Sequence, residues 1–112
     1  MPSILSPLQL TAAVSLLQNQ VYTFKLNSGE ELIARVEKPG TEWITISDPV
    51  SVAPGPQGMG LVPSLFTADI KREIQLNINS ISLYAYAEDA VKMKYIEATT
   101  GIKVPDKKLI LG

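Results

Sequence analysis

The sequence predicts a mostly β chain, a small and strongly bent antiparallel sheet with a helix at each end. Three observations carry that expectation. Between Val21 and Pro49 two consecutive runs alternate by twos: Tyr22, Phe24 and Leu26 against Thr23 and Lys25, then Leu32, Ala34 and Val36 against Ile33, Arg35 and Glu37. Tight breakers separate the runs, at Asn27-Ser28-Gly29, Pro39-Gly40 and Asp48-Pro49. Two further alternating runs, Ile74 to Ile78 and Ile81 to Tyr86, follow in the second half.

The elements follow in order. Ser6 at an N-cap, Pro7 at the first helical position and an apolar-rich run up to Leu17 predict a helix over about residues 6–19, ended by Asn19. Leu10, Ala13, Val14 and Leu17 share one face, and the opposite face (Gln9, Thr11, Gln18) has no cation. Such a helix is expected to cover the open end of the sheet and not to lie on a membrane.

Strands are expected at about 21–27 and 30–38. If Leu26 pairs with Glu30, Phe24 opposes Leu32 and Tyr22 opposes Ala34, so both apolar rows meet on one face. That register needs a three-residue turn with Gly29 left-handed. Trp43-Ile44-Thr45-Ile46 starts a third strand, about 42–53, which continues through Val50 to Ala53 past the Pro49 kink. Pro54 to Gly60 reads as a flexible loop; its glycines lack the Lys-Ser or Lys-Thr that a phosphate cradle requires.

A fourth strand is expected over about 61–78, interrupted by a charged bend at Asp69 to Glu73, with Ile74, Leu76 and Ile78 inward. After a turn at Asn79-Ser80, a fifth at about 80–86 places Ile81, Leu83 and Ala85 on one face and Ser82, Tyr84 and Tyr86 on the other. A second helix at about 88–100 opens on Glu88-Asp89, which suit the positive end of the helix dipole, and closes at Gly101. Val91, Tyr95 and Ala98 fall on one side, expected to pack on the sheet or on a neighbouring subunit. Leu109 to Leu111 either adds a short strand or stays loose.

Composition limits function. At 112 residues, 46% hydrophobic and 19% charged, the chain is expected to form one soluble domain. Ten basic and 11 acidic side chains give a formal charge of -1, without the excess of cations typical of phosphate-binding surfaces. Cysteine and histidine are both absent, which removes thiolate and imidazole catalysis and the commonest transition-metal ligands. Glu30 and Glu31 are adjacent on a strand and point to opposite faces, so they form no carboxylate pair. The expectation is a non-enzyme with no cofactor and no metal. Without a secretory leader or an apolar stretch long enough for a bilayer, it is expected to be cytoplasmic.

The pattern Val-x-x-Phe-x-Leu-x-x-Gly-x-x-Leu-x-Ala-x-Val, from Val21 to Val36, resembles the first half of the Sm motif. The likeness to the Sm-like family is nearest to its members encoded by marine phages of the cyanophage type, and runs from about Ser6 to Ile102. It implies a strongly bent five-stranded antiparallel barrel with an N-terminal helix, here with an added C-terminal helix. It also implies a homo-oligomeric ring, in which the fourth strand of one subunit pairs with the fifth of the next, and a role in RNA binding in a bacterial or phage-infected cell.

The family holds RNA bases with Asp-x-x-Met-Asn in one loop and Arg-Gly in another. Here Gly40-Thr41-Glu42-Trp43-Ile44 and Asn77-Ile78 stand in those places, so both anchors are replaced. What the residues offer for single-stranded RNA is Trp43 for stacking, Asn77 and Asn79 for base edges, and Lys38 or Arg35 for phosphate. Trp43 also suits a core or an interface, and asparagines beside a turn commonly serve the turn. Tyr84 and Tyr86 suit either an RNA-stacking pair or a subunit contact. Two other readings stand beside the RNA-binding ring: a ring that acts only as a structural or protein-interaction scaffold, and a monomeric barrel whose fifth strand accepts a peptide strand.

Overall fold

The computed structural model describes residues 16–100. They form β1 (Val21–Leu26), β2 (Glu31–Lys38), β3 (Trp43–Gly55), β4 (Gly58–Pro63), β5 (Ile74–Asn77), a 3-10 turn (Ile78–Ser80), β6 (Ile81–Tyr86) and α1 (Asp89–Thr99). The sheet order is β4-β3-β2-β1-β6, with β5 on the other half of β3, and every pairing is antiparallel. The expected helix lies outside the described residues up to residue 15. Residues 16–19 are not helical; Gln18 and Asn19 make a turn, with Asn19 at φ 68°.

The first hairpin has the register that alternation dictates. Phe24 pairs with Leu32 and Tyr22 with Ala34. The Leu26 amide donates to the Glu30 carbonyl at 2.8 Å and the Gly29 amide to the Leu26 carbonyl at 2.8 Å. Gly29 sits at φ 98°, where a Cβ would be strained against its own backbone.

The sheet is not a closed barrel. β5 and β6 are consecutive but do not pair with each other: the 3-10 turn separates them, sending β5 to β3 and β6 to β1. The expected strand over 61–78 is two strands, divided by the irregular segment 64–73, which holds the charged bend expected at Asp69 to Glu73 and starts five residues before it. Pro54 to Gly60, expected as a flexible loop, is instead the end of a hairpin: Pro54 pairs with Met59 and Gly55 with Gly58 around Pro56-Gln57. Gly58, at φ 103°, repeats the turn chemistry of Gly29.

Two apolar layers lie on opposite faces of this sheet. The first gathers Leu16, Tyr22, Phe24, Leu32, Ala34, Val36, Ile44 and Ile46, with Ile74, Leu76 and Ile78 packed against it as their alternation requires. The second gathers Val21, Ile33, Val50, Ala87 and Tyr95, with Val52, Leu61, Val91 and Ile96 around it. β3 serves both because it is bulged. Arg35 pairs with Ser47 but Ile33 with Val50, so three steps of β3 match two of β2. The extra residue, at Asp48 (φ 49°), reverses the side-chain parity: Ile44 and Ile46 face one layer, Val50 and Val52 the other.

A second irregularity changes β6. Leu26 pairs with Ile81 but Lys25 with Leu83, so Ser82 is the bulged residue. Tyr84 and Tyr86, opposite Phe24 and Tyr22, therefore share a face with Ile81, while Leu83 and Ala85 turn to the face of Lys25 and Thr23. The strict alternation expected for this strand does not hold, because a bulge shifts every side chain beyond it.

Candidate nucleic-acid interface

Trp43 opens β3 because the chain turns sharply just before it. A Cβ on Gly40 would overlap the Trp43 carbonyl oxygen, so the loop from Pro39 to Glu42 closes only with glycine at that point. From there Trp43 pairs directly with Asn77 across β3 and β5, and the Ile78 amide extends the ladder by donating to the Glu42 carbonyl at 3.0 Å. Trp43 is 48% exposed, whereas the next residue, Ile44, is fully buried. One large aromatic surface is thus left in solvent at the rim of the sheet.

Asn77 is half-buried, and its side-chain oxygen accepts the Asn79 amide at 2.7 Å, capping the 3-10 turn. The amide group of Asn77 is what remains to meet a ligand. Asn79 is exposed on the turn, and its carbonyl accepts from the Asn27 side chain at 2.7 Å. Asn27 also donates its backbone amide to the Ser80 carbonyl at 2.8 Å and accepts from the Ser82 hydroxyl at 2.5 Å. The β1–β2 turn and the β5–β6 turn are therefore locked together. Asn27 was not singled out by sequence, since an asparagine in a hairpin turn gives no sign of a partner so distant in the chain.

Lys38 is set apart from this group. It pairs with Thr45, and its ammonium lies 3.4 Å from the Glu73 carboxylate, just before β5, whereas Asn77 ends that strand. Both partners are well exposed, so the ion pair adds little stability, but it directs the cation away from Trp43. Arg35 is also turned elsewhere, with its guanidinium 3.5 Å from the Asn19 carbonyl. Of the four expected contact residues, Trp43 and Asn77 are ladder partners, Asn79 stands two residues further on the adjoining turn, and the cation of Lys38 is engaged by Glu73.

A separate aromatic strip runs along β6. Tyr86 stacks on Tyr22 with centroids 4.9 Å apart and planes 17° from parallel, and Tyr84 meets Tyr22 edge-on at 6.3 Å. Tyr22 itself is buried, and its hydroxyl accepts the Leu17 amide at 2.9 Å. Burial raises the pKa of the Tyr22 phenol, and the neighbouring Tyr86 adds to the rise. Among the described residues no three acidic side chains form a metal site, and no helix is long and apolar enough to cross a membrane. No protein-family model matches the chain, and no curated protein matches its sequence.

Proposed function

We propose that this chain is a subunit of a Sm-like homo-oligomeric ring that contacts single-stranded RNA through Trp43. The exposed indole beside Asn77 is the observation that supports the RNA contact best. Stacking on an aromatic side chain tolerates any base, and the discriminating Asn and Arg of the Sm motif are missing here, so binding with little base preference is the reading that fits. Assembly is supported by the separation of β5 from β6: among the described residues each pairs on one side only, and a ring provides further neighbours.

A scaffold ring without nucleic acid is the second reading. It is favoured by the engagement of Lys38 with Glu73 and of the Asn77 oxygen with its own turn, and by the balanced charge. The two separate in a low-salt titration of single-stranded RNA with the parent and Trp43→Ala, after light scattering has shown that both have the same mass. Stacking worth roughly 1–3 kcal/mol per base makes the variant about 5- to 150-fold weaker. Equal binding by both, or none by either where phosphate contacts are strongest, assigns the protein to the scaffold class.

A further inference from the structure

β4 is an edge strand of unusual composition. Among the described residues it ends the sheet, and residues 49–68, which include the whole β4 strand and its approach, carry no charged side chain. Edge strands that stay solitary are commonly guarded by charge, proline or a bulge; this one carries no charge, and its one proline, Pro63, stands at its end. Met59 is 68% exposed and Val62 41%.

The hydrogen-bonding pattern of this edge follows from the ladder. The Ser64 amide donates to the Pro49 carbonyl at 3.0 Å, so inward bonds alternate from there through Val62–Ser51, Gly60–Ala53 and Gly58–Gly55. The intervening pairs, Pro63–Val50, Leu61–Val52 and Met59–Pro54, are not mutually bonded. Both prolines fall among them, where the missing N–H costs nothing. Met59 and Leu61 consequently direct their N–H and C=O groups outward.

We infer that β4 pairs antiparallel with β4 of a second copy of this chain about a two-fold axis through Gly60. In that register Met59 faces Leu61 of the other copy, and each of the two outward N–H groups on either strand gains an acceptor. A shift centred on Leu61 would set Met59 against Pro63, which has no N–H to give. At the axis Gly60 meets its own copy in the closely spaced type of antiparallel pair, where glycine leaves the backbones free to approach. An isologous contact brings the residue on the axis against its own copy, so a charge there would repel itself. The charge-free composition meets that condition. Beside the strand lies an open groove of about 260 Å³, lined by Met59, Gly60, Leu61, Lys94, Glu97 and Ala98. This contact uses neither β5 nor β6 and is independent of ring closure.

The sequence contains no cysteine, so Gly60→Cys introduces a unique thiol. A Cβ at Gly60 meets only the Ala53 carbonyl oxygen, at 3.8 Å, and the substitution fits. With diamide as oxidant, Gly60→Cys should convert to disulfide-linked dimer at least tenfold faster than Met93→Cys on the exposed side of α1. Gly60→Asp, which sets two carboxylates together at the axis, should halve the native mass seen by light scattering. Tyr86→Pro, which removes an outward N–H from β6, should change any ring assembly and leave the Gly60→Cys crosslink intact. Equal crosslinking at positions 60 and 93 overturns the inference, as does an unchanged mass for a folded Gly60→Asp.

Discussion

The hydroxyl of Tyr95 accepts the backbone N–H of Arg35 at 3.1 Å and donates to the Ser47 carbonyl at 2.9 Å. Arg35 and Ser47 are ladder partners immediately before the bulge in β3. A fully buried side chain from α1 therefore satisfies backbone groups on two strands, and it ties the helix to the point where the sheet changes face.

Tyr95→Phe keeps the ring and removes this bridge, leaving a buried amide and a buried carbonyl short of a partner. The cost should be about 1–3 kcal/mol in chemical denaturation. Tyr95→Ala should cost more, about 3–5 kcal/mol, because a cavity is added to the lost bonds. Equal stability of Tyr95→Phe and the parent would mean that the bridge contributes nothing.

Alkaline unfolding should expose the same group. Burial, with Asp48 nearby, holds the Tyr95 phenol well above its ordinary value of 10.0, and Tyr22 is raised as well. The unfolded chain loses these protons first, so it binds fewer protons than the native state and stability falls as pH rises. The contribution is complete below pH 10 and is lost from there toward the higher native values. Tyr95→Phe should flatten the decline in denaturation midpoints between pH 9 and pH 11, after correction for its lower baseline.

Gly29→Val tests the first hairpin. Nothing lies within 4 Å of the added Cβ, so the penalty is that of φ 98° alone, about 1–2 kcal/mol for an L-residue. Gly29→Asn should lose less, since asparagine tolerates the left-handed region better. A melting temperature unchanged by valine would reject the turn.

Gly40→Ala acts by collision, not by dihedral strain. The methyl must displace the backbone of Trp43, and overpacking of this kind costs about 1–3 kcal/mol. Trp43 is the one tryptophan of the chain, so its emission reports the displacement directly. An unaltered spectrum would show that the loop adjusts without moving the indole.

Ring closure through β6 makes its own prediction. The Ala87 amide donates to the Val21 carbonyl at 3.2 Å, so by alternation Tyr86 turns its N–H away from β1. Tyr86→Pro should then lower the oligomeric mass while the intrachain ladder survives. A parent that is monomeric at micromolar concentration would already exclude the ring.

The sequence by itself determined the first hairpin, down to its pairing and the left-handed Gly29, because period-two alternation and a three-residue turn leave one register that buries both apolar rows. It likewise determined that Ile74, Leu76 and Ile78 face inward and that Tyr95 lies on the packed side of a C-terminal helix. Tertiary structure alone decided the rest, and the reason is largely the bulges. Val50 and Val52 have the same sequence parity as Ile44 and Ile46, yet the extra residue at Asp48 sends them to the other face. Ser82 does the same to Leu83 and Ala85. Asp48-Pro49 marks a break in its run, but no local pattern tells whether a break inserts a residue, since that depends on what packs against the strand: at this bulge, the Tyr95 hydroxyl that meets the Arg35 amide and the Ser47 carbonyl. The rim follows the same logic. Exposure of Trp43 and its pairing with Asn77 arise from long-range β3–β5 contact, and the direction of Lys38 is set by Glu73, which the chain brings near only after folding.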